Sequence, residues 1–202
     1  QISAAFDSES NRVVLSYRDN GNSDYGTSIV GTVSGTAISF GTAVLFNSVA
    51  TYTTSATFDS DSNKVVISYR DGGASSYGTA IVGTVSGTAI SFGTAVVFEA
   101  ASCDWMSGTF DSDSNKVVIA YQDNGNSGYG TGIVGTVSGT SISFGTAVVF
   151  EAASSTNIRA IFDSDNNKVV VAYDDVGNSE YGTGVVGTVS GTAISFGTPV
   201  VF

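Results

Sequence analysis

Residues Lys64–Asp71 read KVVISYRD, a run of β-branched and aromatic side chains of the kind that packs well on a pleated surface. Polar turn signals bound it, DSDSN before and a Gly/Ala/Ser stretch at 72–76 after, so the run predicts a strand. A second run covers 77–85, and Ser86-Gly87-Thr88 predicts a turn. In 89–98, Ile90, Phe92, Val96 and Phe98 fall on one parity and therefore on one face. A short strand over 56–59 and a turn over 60–63 precede these runs. No window carries a convincing helical period. The pattern predicts a four-stranded antiparallel meander.

The same pattern returns every 52 residues. Phe6, Phe58, Phe110 and Phe162 keep that spacing, as do Tyr17, Tyr69, Tyr121 and Tyr173. The units are approximately 1–46, 47–98, 99–150 and 151–202. A fixed period of this size indicates a solenoid, a propeller or an array. Solenoid coils are usually shorter, and one four-stranded sheet cannot bury both its faces alone. A propeller buries both by stacking sheets around an axis. Ala4, Ala56, Gly108 and Ala160 are small enough for a crowded inner strand. The expectation is one all-β domain over 1–202, a β-propeller of four 52-residue four-stranded antiparallel blades. Four units could close within one chain or with a second, which predicts a monomer or a ring-completing homodimer. Phe40, Phe46, Tyr17 and their equivalents are expected in the core.

The run FDSDSNKVVIAYQDNGNSGYGTGIVGTVSGTSISFGTAVVF at 110–150 resembles the highly repetitive β-propeller repeats of microbial and phage sequences, notably tail-fibre-like and surface proteins. The resemblance covers essentially the whole chain. It implies a propeller fold and an extracellular, virion-surface or cell-surface location. It brings no ligand or active-site motif that can be carried over residue by residue.

Composition narrows the function classes. With 18 acidic and 7 basic residues the net charge is −11, so a phosphate backbone would be repelled and no nucleic-acid partner is expected. The chain has no histidine and one cysteine. That removes Ser-His-Asp and Cys-His chemistry, an internal disulfide and a Cys/His zinc site. Neither a metal nor a cofactor is expected. Hydrophobic residues make up 42% of the chain and mean hydropathy is +0.20, yet no apolar run approaches the roughly 20 residues of a membrane span, so no membrane insertion is expected. With Gln1 first and Met106 the only methionine, a start and any targeting signal are expected to lie outside these residues.

Comparison of the internal copies points to a face. Residues 58–98 and 110–150 differ at only seven of 41 positions, whereas the connections 47–57 and 99–109 agree at only two of 11. The variable tips read ATYTTS at 50–55, SCDWMS at 102–107, STNIR at 155–159 and QIS at 1–3. The residue between Tyr and Asp at the end of the second strand also varies: Arg18, Arg70, Gln122 and Asp174. An up-and-down meander brings both sets of positions to one face. Drift of surface loops is one explanation. But the turns on the opposite face hardly vary, and the tips carry Trp105, Tyr52, Met106 and Asp104 rather than Gly, Ser and Asn. Rigid aromatics anchor binding surfaces. The candidate ligand-binding residues are Trp105, Tyr52, Asp104, Asn157, Arg159, Arg18, Arg70, Gln122 and Asp174. They predict non-enzymatic recognition of a glycan or a surface protein. The alternatives are a structural or assembly module with no specific ligand, and a glycoside-processing enzyme.

Three further motifs have simpler readings beside functional ones. Asp59-Ser-Asp61-Ser-Asn63 and its copies open like a calcium loop, but Lys64 follows at once and no acidic residue closes the loop. Such residues also form tight hairpin turns. Asp19, Asp71, Asp123 and Asp175 could form a carboxylate ring for cation binding or acid–base chemistry, or each could start its loop. Four equivalent carboxylates show none of the splitting of environment that acid–base catalysis needs. Cys103, in a variable tip, reads as a free exposed thiol with nothing nearby to activate it.

Overall fold

Strand formation follows the alternation and the turn residues closely. A computed structural model describes residues 2–73 and 75–202; Gln1 of the first tip and Ala74 of the 72–76 loop lie outside the described residues. In chain order the strands are β1 (Ile2–Asp7), β2 (Arg12–Asp19), β3 (Tyr25–Ser34), β4 (Ala37–Phe40), β5 (Val44–Asp59), β6 (Lys64–Asp71), β7 (Tyr77–Ser86), β8 (Ala89–Phe92) and β9 (Val96–Asp111). The second half of the chain gives β10 (Lys116–Asp123), β11 (Tyr129–Ser138), β12 (Ser141–Phe144), β13 (Val148–Asp163), β14 (Lys168–Asp175), β15 (Tyr181–Ser190), β16 (Ala193–Phe196) and β17 (Val200–Val201). Two short 3-10 turns, Asn124–Asn126 and Val176–Asn178, are the only helical pieces among the described residues. None is long and apolar enough to cross a membrane.

Every pairing is antiparallel, and the turn chemistry sets the register. Asp59 stands opposite Lys64 across the first hairpin, and Asn63 sits at φ 56° within it. Asn tolerates this left-handed geometry better than most residues. Ser86 stands opposite Ala89 across Gly87, at φ 63°, where a residue without Cβ is favoured.

Two expectations about the strands need correction. The fourth strand, expected to run unbroken over 89–98, is divided: β8 ends at Phe92 and β9 begins at Val96. Gly93 lies in the break because a Cβ there would fall 1.9 Å from the Thr140 carbonyl oxygen of the next unit. The tips, expected as loops leading to a short first strand, are extended backbone. β5, β9 and β13 each run 16 residues. The first half of β5 pairs with β3 (Thr27 opposite Leu45) and its second half with β6 (Phe58 opposite Val65). One strand thus serves as the outer edge of one unit and the first strand of the next.

The four units stack face to face, and burial along one strand shows it. In β6 of the second unit, Val65 to Tyr69 are buried without alternation, because both faces are covered. In β2 of the first unit only Val14 and Ser16 are buried, and in β14 of the last only Val169, Val171, Tyr173 and Asp175. These sets have opposite parity, so the two terminal units each present one uncovered face. Three apolar cores lie between the units. In the one between the first and second, Val14, Val30 and Phe46 meet Val65, Ile67, Tyr69 and Ile81. Each such side chain removed from water contributes about 1.5–3 kcal/mol.

An aromatic trio marks each core. Phe46 lies 5.1 Å from Tyr69 and 5.9 Å from Phe92, edge-on to both. Phe98 lies against Tyr121 and Phe144, and Phe150 against Tyr173 and Phe196, at 5.1–5.5 Å. The first strands of successive units lie side by side, β1 by β5, β5 by β9 and β9 by β13. Ser55 Oγ accepts the Gly108 N–H and Ser107 Oγ accepts the Ala160 N–H across those seams. The architecture is therefore all-β and antiparallel, in four stacked units, and the sheet does not close. The expected core placement holds for Phe46, Phe150, Tyr69, Tyr121 and Tyr173 but not for Phe40 and Tyr17 at one end of the stack or Phe202 at the other. Phe40 is exposed and Tyr17 half-buried, because no unit covers that face.

Candidate binding face

Strand register brings the variable positions to one edge. Tyr52 stands opposite Arg70, Asp104 opposite Gln122, and Thr156 opposite Asp174. In each case the register shifts immediately beyond the pair, so the long strand carries a bulge. The bulges hold Thr53 at φ 36°, Trp105 at φ 50° and Asn157 at φ 51°. Positive φ is rare outside glycine and unfavourable for β-branched and bulky residues. A bulge re-aims a side chain that plain alternation would place elsewhere. The bulge occurs in three units at the 52-residue spacing; it strains Thr53 and Trp105, while Asn157 tolerates the geometry.

Around Tyr52 the side chains form a cluster. The Arg18 and Arg70 guanidinium carbons lie 4.9 and 4.6 Å from its ring centroid, within range for attraction to the ring quadrupole. Arg70 Nη1 donates to both Asp104 oxygens at 2.6 and 2.7 Å, and Asn124 Nδ2 adds a bond to Asp104 Oδ2 at 3.0 Å. Arg18 Nη2 donates to Asp24 Oδ2 at 2.6 Å, which holds the Asp24 carboxyl below the usual carboxylate range. Partly exposed pairs of this kind are worth about 0–1 kcal/mol each, so they orient the side chains more than they stabilise the fold. Arg18, Tyr52, Arg70 and Asp104 line a cavity of about 240 Å³ with Thr53. Inside the cluster, the buried Arg18 Nε, Arg70 Nε and Thr53 Oγ1 find no hydrogen-bond partner.

A second cavity, about 310 Å³, runs along the first strands of all four units and includes Ser3, Ser55, Trp105 and Arg159. Thr53 lines both cavities and joins them into one surface. The structure therefore brings Arg18, Tyr52, Arg70 and Asp104 together, and places Trp105 and Arg159 in the adjoining cavity. Gln122, Asn157 and Asp174 line neither. Gln122 Nε2 donates to Ser154 Oγ at 3.0 Å, and Asn157 Nδ2 to Asp174 Oδ2 at 2.6 Å. The candidate set left out Thr53 and Asp24, although position 24 also varies between the copies (Asp24, Ser76, Gly128 and Glu180) and falls on the same face. Thr53 carried a signal, since it occupies the same repeat position as Trp105.

Cys103 and Met106 need correction. The Cys103 thiol is buried, not exposed, in the core between the second and third units, and burial pushes its pKa up. Met106 joins the same core. Three of the four carboxylates that follow Tyr start their loops, whereas Asp175 caps no backbone group and its buried Oδ1 has no hydrogen-bond partner. Asp19 Oδ1 accepts the Gly21 N–H, Asp71 Oδ1 the Gly73 N–H, and Asp123 Oδ1 the Gly125 and Asn126 N–H groups. In the DSDSN turn, Asp59 Oδ1 accepts the N–H groups of Asp61 and Ser62, a local turn bond. Compared with known proteins, the chain matches no family model and no curated sequence.

Proposed function

We propose that the four units are blades of a β-propeller, and that the chain is a non-enzymatic recognition module using its variable edge to bind a glycan or a protein on a cell or virion surface. The observation that carries this reading is the Arg18–Tyr52–Arg70–Asp104 cluster beside Trp105: positions that vary between near-identical units gather at one edge and hold each other in place. A constant frame with changing side chains at its rim is the logic of antibody loops. Trp105, 37% exposed, supplies the ring for stacking on a sugar face or an apolar side chain. Tyr52 acts through the two guanidiniums it orients. Arg18, Arg70 and Asp104 supply charge-assisted hydrogen bonds, and Arg159, Asn157, Gln122 and Asp174 extend the polar rim. The units differ at these positions, so the surface is one composite site and not four equal pockets.

The test is a titration of Trp105 emission with a panel of microbial polysaccharides and surface proteins. A shift or quench with one ligand is expected, and Arg70→Ala should weaken that ligand about tenfold or more, the loss of one charge-assisted hydrogen bond. If no panel member moves the emission, and replacing the tips with Gly and Ser alters no binding, the module is structural. Turnover of a glycan substrate that disappears in Asp71→Asn would favour the enzyme reading instead.

A further inference from the structure

We infer that the two uncovered end faces are the two halves of one further seam, and that a second copy of this chain docks head-to-tail to complete it. Each internal seam joins a Phe from the preceding unit to a Tyr and a Phe of the following one. The three internal inserting residues are Phe46, Phe98 and Phe150. The fourth inserting residue is Phe202, which is 81% exposed, whereas Phe46 and Phe150 are 7% and 6% exposed. The fourth receiving pair is Tyr17 and Phe40, at the opposite end of the stack and without a Phe between them. One trio is thus divided between the two ends.

The surrounding positions repeat this division. Val30, Val82 and Val134 are fully buried by the following unit, while their equivalent Val186 is 46% exposed. Val65, Ile67 and Ile81 are buried by the preceding unit, while Val13, Leu15 and Ile29 are only half-buried. The closest fit is at glycine. A Cβ on Gly41, Gly93 or Gly145 would fall 1.9–2.0 Å from the carbonyl oxygen of Thr88, Thr140 or Thr192 in the following unit. Gly197, the fourth of that series, has nothing within 3.7 Å. The threonine at the matching position of a first unit is Thr36. The end of the last unit is therefore shaped, by side chains and by a missing Cβ, for the start of the first. Such a contact is heterologous: it closes a ring where the rotation per unit allows, and otherwise extends. The net charge of −11 opposes association, and salt screens that repulsion.

The experiment is sedimentation and light scattering of the 202-residue chain from low to high micromolar, at low and high salt. A dimer, a larger ring or an extending polymer, strengthened by salt, is the expected result. Ile38→Glu disables the starting face and Val186→Glu the ending face; both positions are exposed in the single chain, and circular dichroism checks that each variant folds. Each variant alone should be a monomer, and an equimolar mixture should give a dimer joined by the one intact seam. Gly197→Ala, which meets nothing closer than 3.7 Å within its own chain, should melt like the parent yet weaken association at least tenfold. A concentration-independent monomer, association that salt weakens, or dimers formed by either single variant alone would overturn the inference.

Discussion

Cys103 and Trp105 are two residues apart, and simple alternation would put both on one face. The bulge at Trp105 breaks that parity: the thiol goes into the core, the indole turns outward at φ 50°, and Met106 goes inward. Position was legible in the sequence, because the tips vary between copies. Direction was not, because a bulge is one extra residue that composition does not reveal. A thiol reagent should therefore leave Cys103 unmodified in the native protein and label it fully in denaturant; rapid native labelling would contradict its burial. Glu99 offers a second test at this scale. Burial raises its pKa above the ordinary 4.5, opposed by a hydrogen bond from the Tyr121 hydroxyl. A carboxyl with a raised folded-state value favours folding fully below its unfolded value, and that contribution is lost as pH rises through the folded one. Glu99→Gln should thus lose less stability between pH 4.5 and neutrality than the parent, read from urea midpoints across that range.

Among the elements, the second and third strands were legible to within a residue, since Lys64–Asp71 and the run from Tyr77 carry both the alternation and the bounding turns. The division of the fourth strand at Gly93 was not, because its cause is a backbone carbonyl of another unit. The aromatic trio gives the sharpest contrast between equivalent residues. Phe150→Ala removes a buried ring from between Tyr173 and Phe196 and should cost roughly 3–5 kcal/mol in a denaturation curve. Phe202→Ala, chemically the same change at the same repeat position, should cost the single chain little, because its ring is exposed. Equal costs would mean that the last unit is covered in the isolated chain.

For the molecule as a whole, near-identical units occupy unequal environments. Val66 is buried in the second unit while its copy Val170 is only half-buried in the last. No feature of the local sequence distinguishes these positions; only the order of stacking does. Four meanders and their common face could be read from periodicity, but not whether the stack closes, since closure depends on the angle between neighbouring sheets. The binding cluster was legible as a set of variable positions, and the pairing of Arg70 with Asp104 from the next unit was not. The shared strands also bear on how the stack comes apart. β5, β9 and β13 pass from one unit to the next as paired backbone, so no unit can leave its neighbour without breaking ladder hydrogen bonds. Denaturation should therefore proceed in one transition, without units released one by one, as in a plank wall where every board spans two studs.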